Sequence, residues 1–398
     1  MSGTAGGTAP RVLYLVHRVP YAPNRGDRIR SYHTLRVLRS AGISTHVIAL
    51  AHDDEEQEQA SRLSEIAESY DVLRVPEWRN RLRAAAALAG STPLTHVLLD
   101  HPDIDALLRA RVASFHPTAV LAYCSGMARF AMSPTLSSIP FVLDMVDLDS
   151  TKWYELASIT TWPLRYVYER EARCLARFER AACERARLVL AINAREASEV
   201  RGVAKDATVE IMANGVDIDY FQSPSTHNRE RQVIFTAVFD YPPNEVAARW
   251  AITQVWPRVV SRSPDARLIL AGARPTKALR RAAARGTGIT VTGALDDIRP
   301  HLWNSTVAIA PVTISRGTQN KVLEAVAAGL RCIVTPQVQR GLPAAVLGRC
   351  DVASTPQEFA EAISAALQRP ADRVNDLAGL RWESTISALV DVIRGLAG

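Results

Sequence analysis

Short apolar runs alternate with helical segments along nearly the whole chain, in two successive series. In the first series, Val12 to Val16 (VLYLV), Thr45 to Leu50 (THVIAL) and Ala119 to Ala122 are typical of strands buried on both faces. The second series begins at Val233 with VIFTAVF and continues to VAIAP, which starts at Val307. Strands that alternate with helices predict parallel sheets covered by helices on both faces. We therefore expect an α/β protein built from two doubly wound, Rossmann-like domains.

A polar stretch between the two series predicts the domain boundary. Gln222 to Arg231 (QSPSTHNRER) is rich in polar residues and contains Pro and Ser, as linkers do. We predict a tail over residues 1–10, an N-terminal domain over 11–217, a linker over 218–231 and a C-terminal domain over 232–379. The tail lacks the basic start and apolar core of a signal peptide, and we expect it to be disordered.

Composition narrows the functional classes. The chain has 47 Lys and Arg residues against 41 Asp and Glu residues, for a formal net charge of +6. This mild excess suits anionic small ligands or a membrane surface, and no basic stripe interleaved with aromatic residues indicates nucleic acid. The five cysteines include no C-x-x-C pair, which argues against a zinc site or disulfide framework and favours a reducing cytoplasm.

The segment from Ile314 to Leu330 (ISRGTQNKVLEAVAAGL) directly follows the buried strand VAIAP. Its sequence predicts a glycine turn at Gly317, a helix N-cap at Thr318 and a helix that ends before Gly329. A strand, a turn and a helix start are thereby brought together.

The chemistry of this helix start suits a nucleotide sugar. Free backbone N–H groups and the helix dipole attract phosphate, and the cations Arg316 and Lys321 add to that attraction. The carboxylate of Glu324, about one turn into the helix, suits the hydroxyl groups of a sugar. The alternative is an ordinary strand-to-helix turn with surface charges.

Three carboxylates follow the strand Phe141 to Leu143. Asp144, Asp147 and Asp149 lie in the run LDMVDLDSTKW, at the expected carboxyl end of that strand. Such a cluster could bind a metal or position hydroxyl groups. The alternative is a solvated loop whose Asp and Ser side chains cap a helix.

Two helical segments are rich in arginine. Trp78 to Gly90 (WRNRLRAAAALAG) is typical either of a basic helix lying on a membrane or of a solvated helix with a small-residue core face. Pro163 to Arg187 carries seven Arg and four Glu residues, many of them three or four positions apart. That spacing predicts an exposed helix with many salt bridges.

Several motifs resemble glycosyltransferase family 4, whose members have the GT-B fold. The run NGVDIDYF, from Asn214 to Phe221, is similar to the signature at that family's domain junction, and RWE, from Arg381 to Glu383, resembles its closing helix. HRVPYAPNRGDRIRSYH, DMVDLDSTKW, DYPPN and RGTQNKVLEA resemble more narrowly the sugar transferases of exosortase-type exopolysaccharide clusters. The resemblance implies two Rossmann-like domains that face each other across a cleft, with a C-terminal helix, residues 380–398, that crosses back to the first domain.

The resemblance also implies roles for individual residues. Glu324 matches the glutamate that binds the ribose of the nucleotide. The family's other glutamate, usually placed on the transferred sugar, would be at position 316, where this chain has Arg316. An arginine and a lysine of the family are replaced by Phe239 to Tyr241. The remaining donor-binding candidates are Gly317, Thr318 and Asn320 at phosphate and sugar, Arg274 and Lys321 at the diphosphate, Gly293 and Asp296 beside the base, and Gly26 and Asp27 in the first domain.

The implied reaction moves a sugar from a nucleoside diphosphate to an acceptor hydroxyl with retention of anomeric configuration. Cationic groups can stabilise the leaving diphosphate, so we expect neither a metal nor a cofactor. His17 follows the first strand, where inverting GT-B enzymes place a base, and Asp147 is its candidate partner. A histidine that binds acceptor or backbone is the alternative.

The resemblance leaves other classes and partners open. A GT-B epimerase or hydrolase, or a non-catalytic protein that binds a nucleotide sugar, is the alternative to a transferase. The acceptor would be a glycan, a lipid-linked sugar or a small molecule. We expect a cytoplasmic protein, with peripheral contact to the inner face of the membrane as one option.

Overall fold

The computed structural model describes residues 9–21, 26–224, 230–315, 317–369 and 377–397, with only the backbone of Gly26 and Asp27. The chain divides into two compact units. Unit 1 contains the residues up to Met212 and those from Ile386 onward, and unit 2 contains Ala213 to Thr385.

Unit 1 is organised around a parallel sheet whose seven described strands have the order β3-β2-β1-β4-β5-β6-β7. The strands are β1 (Arg11–Val16), β2 (Ser44–Ala51), β3 (Ser69–Arg74), β4 (Ala119–Tyr123), β5 (Phe141–Val146), β6 (Leu188–Ala191) and β7 (Val209–Ile211). The helices are α1 (Gly26–Ser40), α2 (Asp54–Gln59), α3 (Glu77–Ala87), α4 (Leu94–Leu98), α5 (Ile104–Phe115), α6 (Cys124–Ala131), α7 (Asp149–Ile159), α8 (Leu164–Arg185) and α9 (Ala194–Val203). The apolar strands predicted at Val12, Thr45 and Ala119 are confirmed, and their side chains form the core of unit 1.

Helix α8 differs from the exposed helix that its charge pattern predicts. Arg170, Glu171 and Glu179 are buried on this helix. Glu179 accepts a hydrogen bond from the backbone N–H of Ser150 at 3.2 Å, in the first turn of α7. These charged side chains are buried because they form hydrogen bonds with backbone groups of neighbouring segments. The spacing of opposite charges within α8 does not reveal such bonds.

Unit 2 contains a second parallel sheet, whose six described strands have the order β10-β9-β8-β11-β12-β13. The strands are β8 (Gln232–Thr236), β9 (Arg267–Ala271), β10 (Ile289–Gly293), β11 (Val307–Ala310), β12 (Arg331–Val334) and β13 (Cys350–Val352). The helices that begin in this unit are α10 (Ile218–Phe221), α11 (Pro242–Trp250), α12 (Trp256–Arg262), α13 (Lys277–Ala283), α14 (Arg299–Asn304), α15 (Asn320–Ala327), α16 (Pro336–Gln339), α17 (Ala344–Leu347), α18 (Pro356–Ala366) and α19 (Trp382–Ala397). The predicted α/β class, with two doubly wound parallel sheets, is confirmed.

A π-helical segment, Ala251–Val255, joins α11 to α12. The backbone N–H of Trp256 donates to the carbonyl of Ala251, five residues earlier. Pro257 follows in the first turn of α12 and has no N–H to donate. The wider turn lets the chain pass this proline without a break in the helix.

Helix α19 begins in unit 2 and continues into unit 1. Its residues from Ile386 onward belong to unit 1, where the guanidinium of Arg394 donates to the carbonyl of Ala41 at 2.9 Å. Ile386 and Leu389 are fully buried. The expectation that the C-terminal helix returns to the first domain is therefore confirmed.

Candidate active site

The centre of the unit 2 sheet is a topological switch point. β8 pairs with β9 on one side and with β11 on the other, and β11 leads on to β12. The chain therefore continues from β8 to β9 on one side of this central pair and from β11 to β12 on the other side. Ligands of open parallel sheets bind outside the carboxyl ends of strands at such a point. The residues after Thr236 and Ala310 thus occupy the expected binding position of unit 2.

The loop after β11 is held by side-chain hydrogen bonds. The Thr318 hydroxyl donates to the carbonyl of Gly341 at 2.9 Å, and the Gln319 side chain donates to Ser315 Oγ at 3.0 Å. The predicted N-cap role of Thr318 is wrong, because its hydroxyl is committed to a segment more than 20 residues away and α15 begins at Asn320 with Gln319 in the cap position. Arg316 lies outside the described residues.

The predicted end of α15 at Gly329 is confirmed. Gly329 has φ 83°, a left-handed conformation that costs glycine little. Its N–H donates to the carbonyl of Val326, and the N–H of Leu330 donates to that of Ala325, both at 2.9 Å. These are the two hydrogen bonds of a Schellman motif, which fixes the length of the helix.

Lys321 points into the fold beside β8. Its ammonium donates to Asn244 Oδ1 at 2.9 Å and lies 5.0 Å from the centre of the Phe235 ring. Burial lowers the pKa of Lys321 to about 8, although Glu324 opposes that shift. The lysine therefore ties α15 to the start of α11, on the far side of the switch point.

Glu324 lies one turn further along α15, three residues after Lys321. Its side chain is partly buried, and no hydrogen-bond partner for it exists in the described part of the chain. Burial raises the pKa of Glu324 to about 7, and the positive charge of Lys321 only partly opposes the shift. A carboxylate in these surroundings is suited to accept hydrogen bonds from a bound ligand.

The carboxyl ends of β9 and β10 carry three more candidates. Arg274 has φ 54° and pairs with Asp240 at 3.4 Å, and both side chains are largely exposed. Gly293 has φ 81°, and Asp296 is exposed in the turn that follows. Within the described ranges, no hydrogen bond or ion pair joins Arg274, Gly293 or Asp296 to α15.

The NGVDIDYF segment packs onto α15 and the start of α19. The Asn214 amide donates to Asn320 Oδ1 at 2.8 Å, which places a second buried amide beside the start of α15. At Gly215, a Cβ atom would lie 2.7 Å from the backbone of Trp382, so only glycine fits without movement. Arg381 forms a two-point ion pair with Asp219, at 2.6 and 2.8 Å.

The unit 1 sheet has its own switch point, between β1 and β4, and His17 lies there. The His17 ring stacks on Tyr123, with ring centres 5.3 Å apart and an interplanar angle of 18°. Its Nδ1 is 3.7 Å from the sulfur of Cys124, which follows β4 with φ 62°. The backbone carbonyl of His17 accepts a hydrogen bond from the His52 ring at 2.9 Å.

The three carboxylates of LDMVDLDSTKW do not act as one group, and Asp144 lies within β5 rather than after the strand as predicted. Asp144 is buried and forms a two-point ion pair with Arg30, at 2.7 and 2.8 Å. Asp147 and Asp149 instead flank Lys152, at 2.6 and 3.2 Å. Lys152 and the Ser125 hydroxyl keep the pKa of Asp149 below its ordinary value despite burial. No group of three metal-ligating side chains is found among the residues that the structure describes.

Gly26 and Asp27 form the first residues of α1, and their side chains are not described. Sequence reasoning missed Asn244 as the partner of Lys321. The prolines of DYPPN gave a signal for it, because they predict a helix start at the carboxyl end of β8 and place Asn244 in its first turn. Sequence reasoning also missed Lys152, which joins Asp147 and Asp149 into one cluster.

Residues 230–369, within unit 2, match the model of the family described as "Glycosyl transferases group 1". This segment is similar to group 1 glycosyltransferase domains, and it contains the switch point of unit 2, Lys321 and Glu324. The predicted transferase class is confirmed, whereas membership of family 4 and of the exosortase-associated subgroup stays a prediction. A search of curated proteins gave no match.

Solved structures of glycosyltransferases resemble the whole chain. Sucrose-phosphate synthase from Thermosynechococcus elongatus has a TM-score of 0.68 at 15% identity, over 98% of this chain and 99% of that one. Anabaena HepE in complex with UDP and glucose has a TM-score of 0.63 at 13% identity, over 98% and 97%. Trehalose 6-phosphate synthase from Burkholderia multivorans has a TM-score of 0.62 at 13% identity, over 98% and 100%. These similarities confirm the predicted GT-B fold. Across its described residues, no helix has the length and apolar character needed to span a membrane.

Proposed function

We propose that the protein transfers a sugar from a nucleoside-diphosphate sugar to a hydroxyl group of an acceptor, and that unit 2 binds the donor. The observation that carries this proposal is Glu324, a partly buried carboxylate without a hydrogen-bond partner among the described residues, on the helix that follows β11. Ribose hydroxyl groups would supply the missing donors. The group 1 domain supports the proposal, as does the binding of UDP-glucose by HepE.

The charges around α15 suit a diphosphate leaving group. With a pKa of about 8, Lys321 is mostly protonated at neutral pH. Its positive charge, together with the N-terminal end of α15, favours the charge that develops as the bond between sugar C1 and the β-phosphate oxygen breaks. Asn320, fixed by Asn214, lies at the same helix start. We propose that Arg316 contributes a further cation from the preceding loop.

We propose a retaining, metal-independent reaction. The acceptor oxygen bonds to C1 on the face from which the phosphate leaves, and the departing phosphate oxygen takes the acceptor's proton. No protein base is needed in this sequence of steps. The acceptor is a glycan, a lipid-linked sugar or a small molecule. Exopolysaccharide synthesis is the process that the sequence motifs favour.

The donor site is tested with Glu324→Ala. A panel of nucleotide sugars that includes UDP-glucose is first screened by thermal shift, because binding raises apparent stability. Calorimetry with the best ligand should then show at least about a tenfold loss of affinity in the variant, as expected when a charged hydrogen-bond acceptor is removed. Glu383→Ala is the matched control, since Glu383 is an exposed glutamate near the start of α19. Unchanged affinity in the Glu324 variant would contradict the assignment of the donor site to Glu324.

The stereochemistry and the metal requirement are tested on the product. NMR should show that C1 keeps the configuration of the donor, and a product with inverted C1 would assign the base to His17 instead. Transfer should persist in EDTA, and its loss with recovery on added Mg²⁺ would contradict metal independence. Nucleotide released from the donor at the full rate without acceptor would indicate a hydrolase rather than a transferase.

A further inference from the structure

The hairpin formed by α7 and α8 ends in an apolar tip. At this tip the side chains of Ile159, Trp162 and Leu164 are 75%, 83% and 53% exposed. The segment from Leu156 to Leu164 (LASITTWPL) contains no charged residue. Apolar side chains grouped in this way on a protein surface mark an interaction site.

Aromatic and charged side chains flank the tip on both helices. Tyr154 on α7 and Tyr166 on α8 lie within about one to one and a half helical turns of the tip, and they are 45% and 61% exposed. Further along α8, the exposed residues Arg173 and Arg177 lie roughly 14 and 20 Å from Leu164, at about 1.5 Å per residue. Charged side chains also begin directly beside the tip, since Arg165 is exposed next to Leu164 and pairs with Glu169 at 2.8 Å, and Glu155 is exposed next to Leu156.

The hairpin is held firmly by the rest of unit 1. The Arg170 guanidinium donates to the carbonyls of Ala87, Gly90 and Thr92 at 2.7 to 2.8 Å. Glu171 accepts hydrogen bonds from the first two backbone N–H groups of α4, at 2.6 and 2.9 Å. The exposed tip is therefore presented on a fixed support.

Helix α3, next to the hairpin, adds positive charge to this surface. Helix α3, whose C-terminal end accepts the hydrogen bonds of Arg170, carries exposed arginines at Arg79, Arg81 and Arg83. Two of them also form ion pairs, Arg81 with a glutamate of its own helix and Arg83 with an aspartate beyond α4. A surface bearing these cations attracts an anionic partner.

We propose that the tip of the α7–α8 hairpin inserts into the surface of an anionic phospholipid bilayer. The apolar tip, the tyrosines beside it and the nearby arginines suit the groups found at a membrane interface. Apolar groups enter the acyl boundary to a depth of about 5–10 Å, aromatic groups with a polar atom lie at headgroup level, and arginines meet lipid phosphates. A flat protein interface would instead surround an apolar centre with a polar rim.

The test is flotation of the full-length protein with lipid vesicles. Phosphatidylcholine vesicles with about 30% phosphatidylglycerol are compared with vesicles of phosphatidylcholine alone. The variant Ile159→Ser/Trp162→Ser removes the tip, and Val246→Ser, at a position 60% exposed in unit 2, is the control. All substituted side chains are exposed, so thermal unfolding should show that the variants fold.

The wild-type protein and the Val246 variant should float with the anionic vesicles. The double variant should bind about 100-fold more weakly, because each lost apolar side chain is worth roughly a factor of ten in partitioning. Failure of the wild-type protein to bind either vesicle would overturn the proposal. So would size-exclusion chromatography that shows a dimer dissociated by the double variant, since a second copy would then cover the tip.

Discussion

Replacing Glu324 by glutamine should stabilise the fold in a manner that depends on pH. Burial raises the pKa of Glu324 from an ordinary value of 4.5 to about 7. Below pH 4.5 the group is protonated in both the folded and the unfolded chain, and ionisation costs the fold nothing. As the pH rises to 7, the unfolded chain releases this proton before the folded chain does. The stability present at low pH is therefore lost as the pH rises through the folded pKa.

The size of this effect follows from the two pKa values. At about 1.4 kcal/mol for each pH unit between them, ionised Glu324 lowers the free energy of unfolding by about 3 kcal/mol at pH 8. Glutamine is neutral at every pH and avoids this cost. Lys321 loses a favourable neighbour in the variant and offsets part of the gain. We therefore expect Glu324→Gln to be about 1–3 kcal/mol more stable than the wild type at pH 8 and within about 1 kcal/mol of it at pH 5.

Urea unfolding at pH 5 and pH 8 measures this difference directly. Glu383→Gln serves as the control, because Glu383 is exposed and its replacement should change stability equally little at both values. The same Glu324 variant should bind the donor more weakly, so stability and binding should change in opposite directions. A stability difference that is the same at pH 5 and pH 8 would refute the assignment of a buried, proton-binding carboxylate.

Three substitutions test the fold. Asp144→Ala removes the carboxylate that pairs with the buried Arg30 and should lower the free energy of unfolding by about 3–5 kcal/mol in urea; a loss below about 1 kcal/mol would contradict the buried ion pair. Gly272→Ala should lower the melting temperature strongly, because Gly272 has φ 142° and a Cβ atom would lie 2.0 Å from the carbonyl oxygen of Ala237; an unchanged melting temperature would refute this close approach. Gly202→Ala is the matched control, since Gly202 lies in a helix with open space around it, and it should stabilise by about 0.5–1 kcal/mol.

Local sequence rules predicted α15 and the strand before it better than the contacts of this helix. The strand before α15 is predicted by its run of apolar residues. The end of the helix is predicted by Gly329, because glycine adopts a left-handed backbone conformation at little cost. The role of Thr318 could not be found in this way, because its hydroxyl meets Gly341 only after the chain has folded. The Lys321–Asn244 bond likewise joins residues on different helices.

Charge patterns gave the weakest predictions. The spacing of charges in α8 favours an exposed helix, yet Arg170 and Glu171 are buried. Their partners are backbone groups of the segment between α3 and α4, which leave no signature in the sequence of α8. The acidic run from Asp144 to Asp149 was ambiguous for the same reason, since Arg30, the partner of Asp144, comes more than a hundred residues earlier.

The assignment of α19 to both units makes unit 2 an insertion within the sequence of unit 1. The two ends of the insertion meet, because the N–H of Val216 donates to the carbonyl of Leu380 at 2.7 Å. During synthesis, unit 1 has to wait for all of unit 2 to be made before Ile386 and Leu389 can cover its apolar surface. A nascent chain that has just completed unit 2 therefore lacks this cover, and peptides copying residues 386–397 should compete with α19 for the same surface of unit 1.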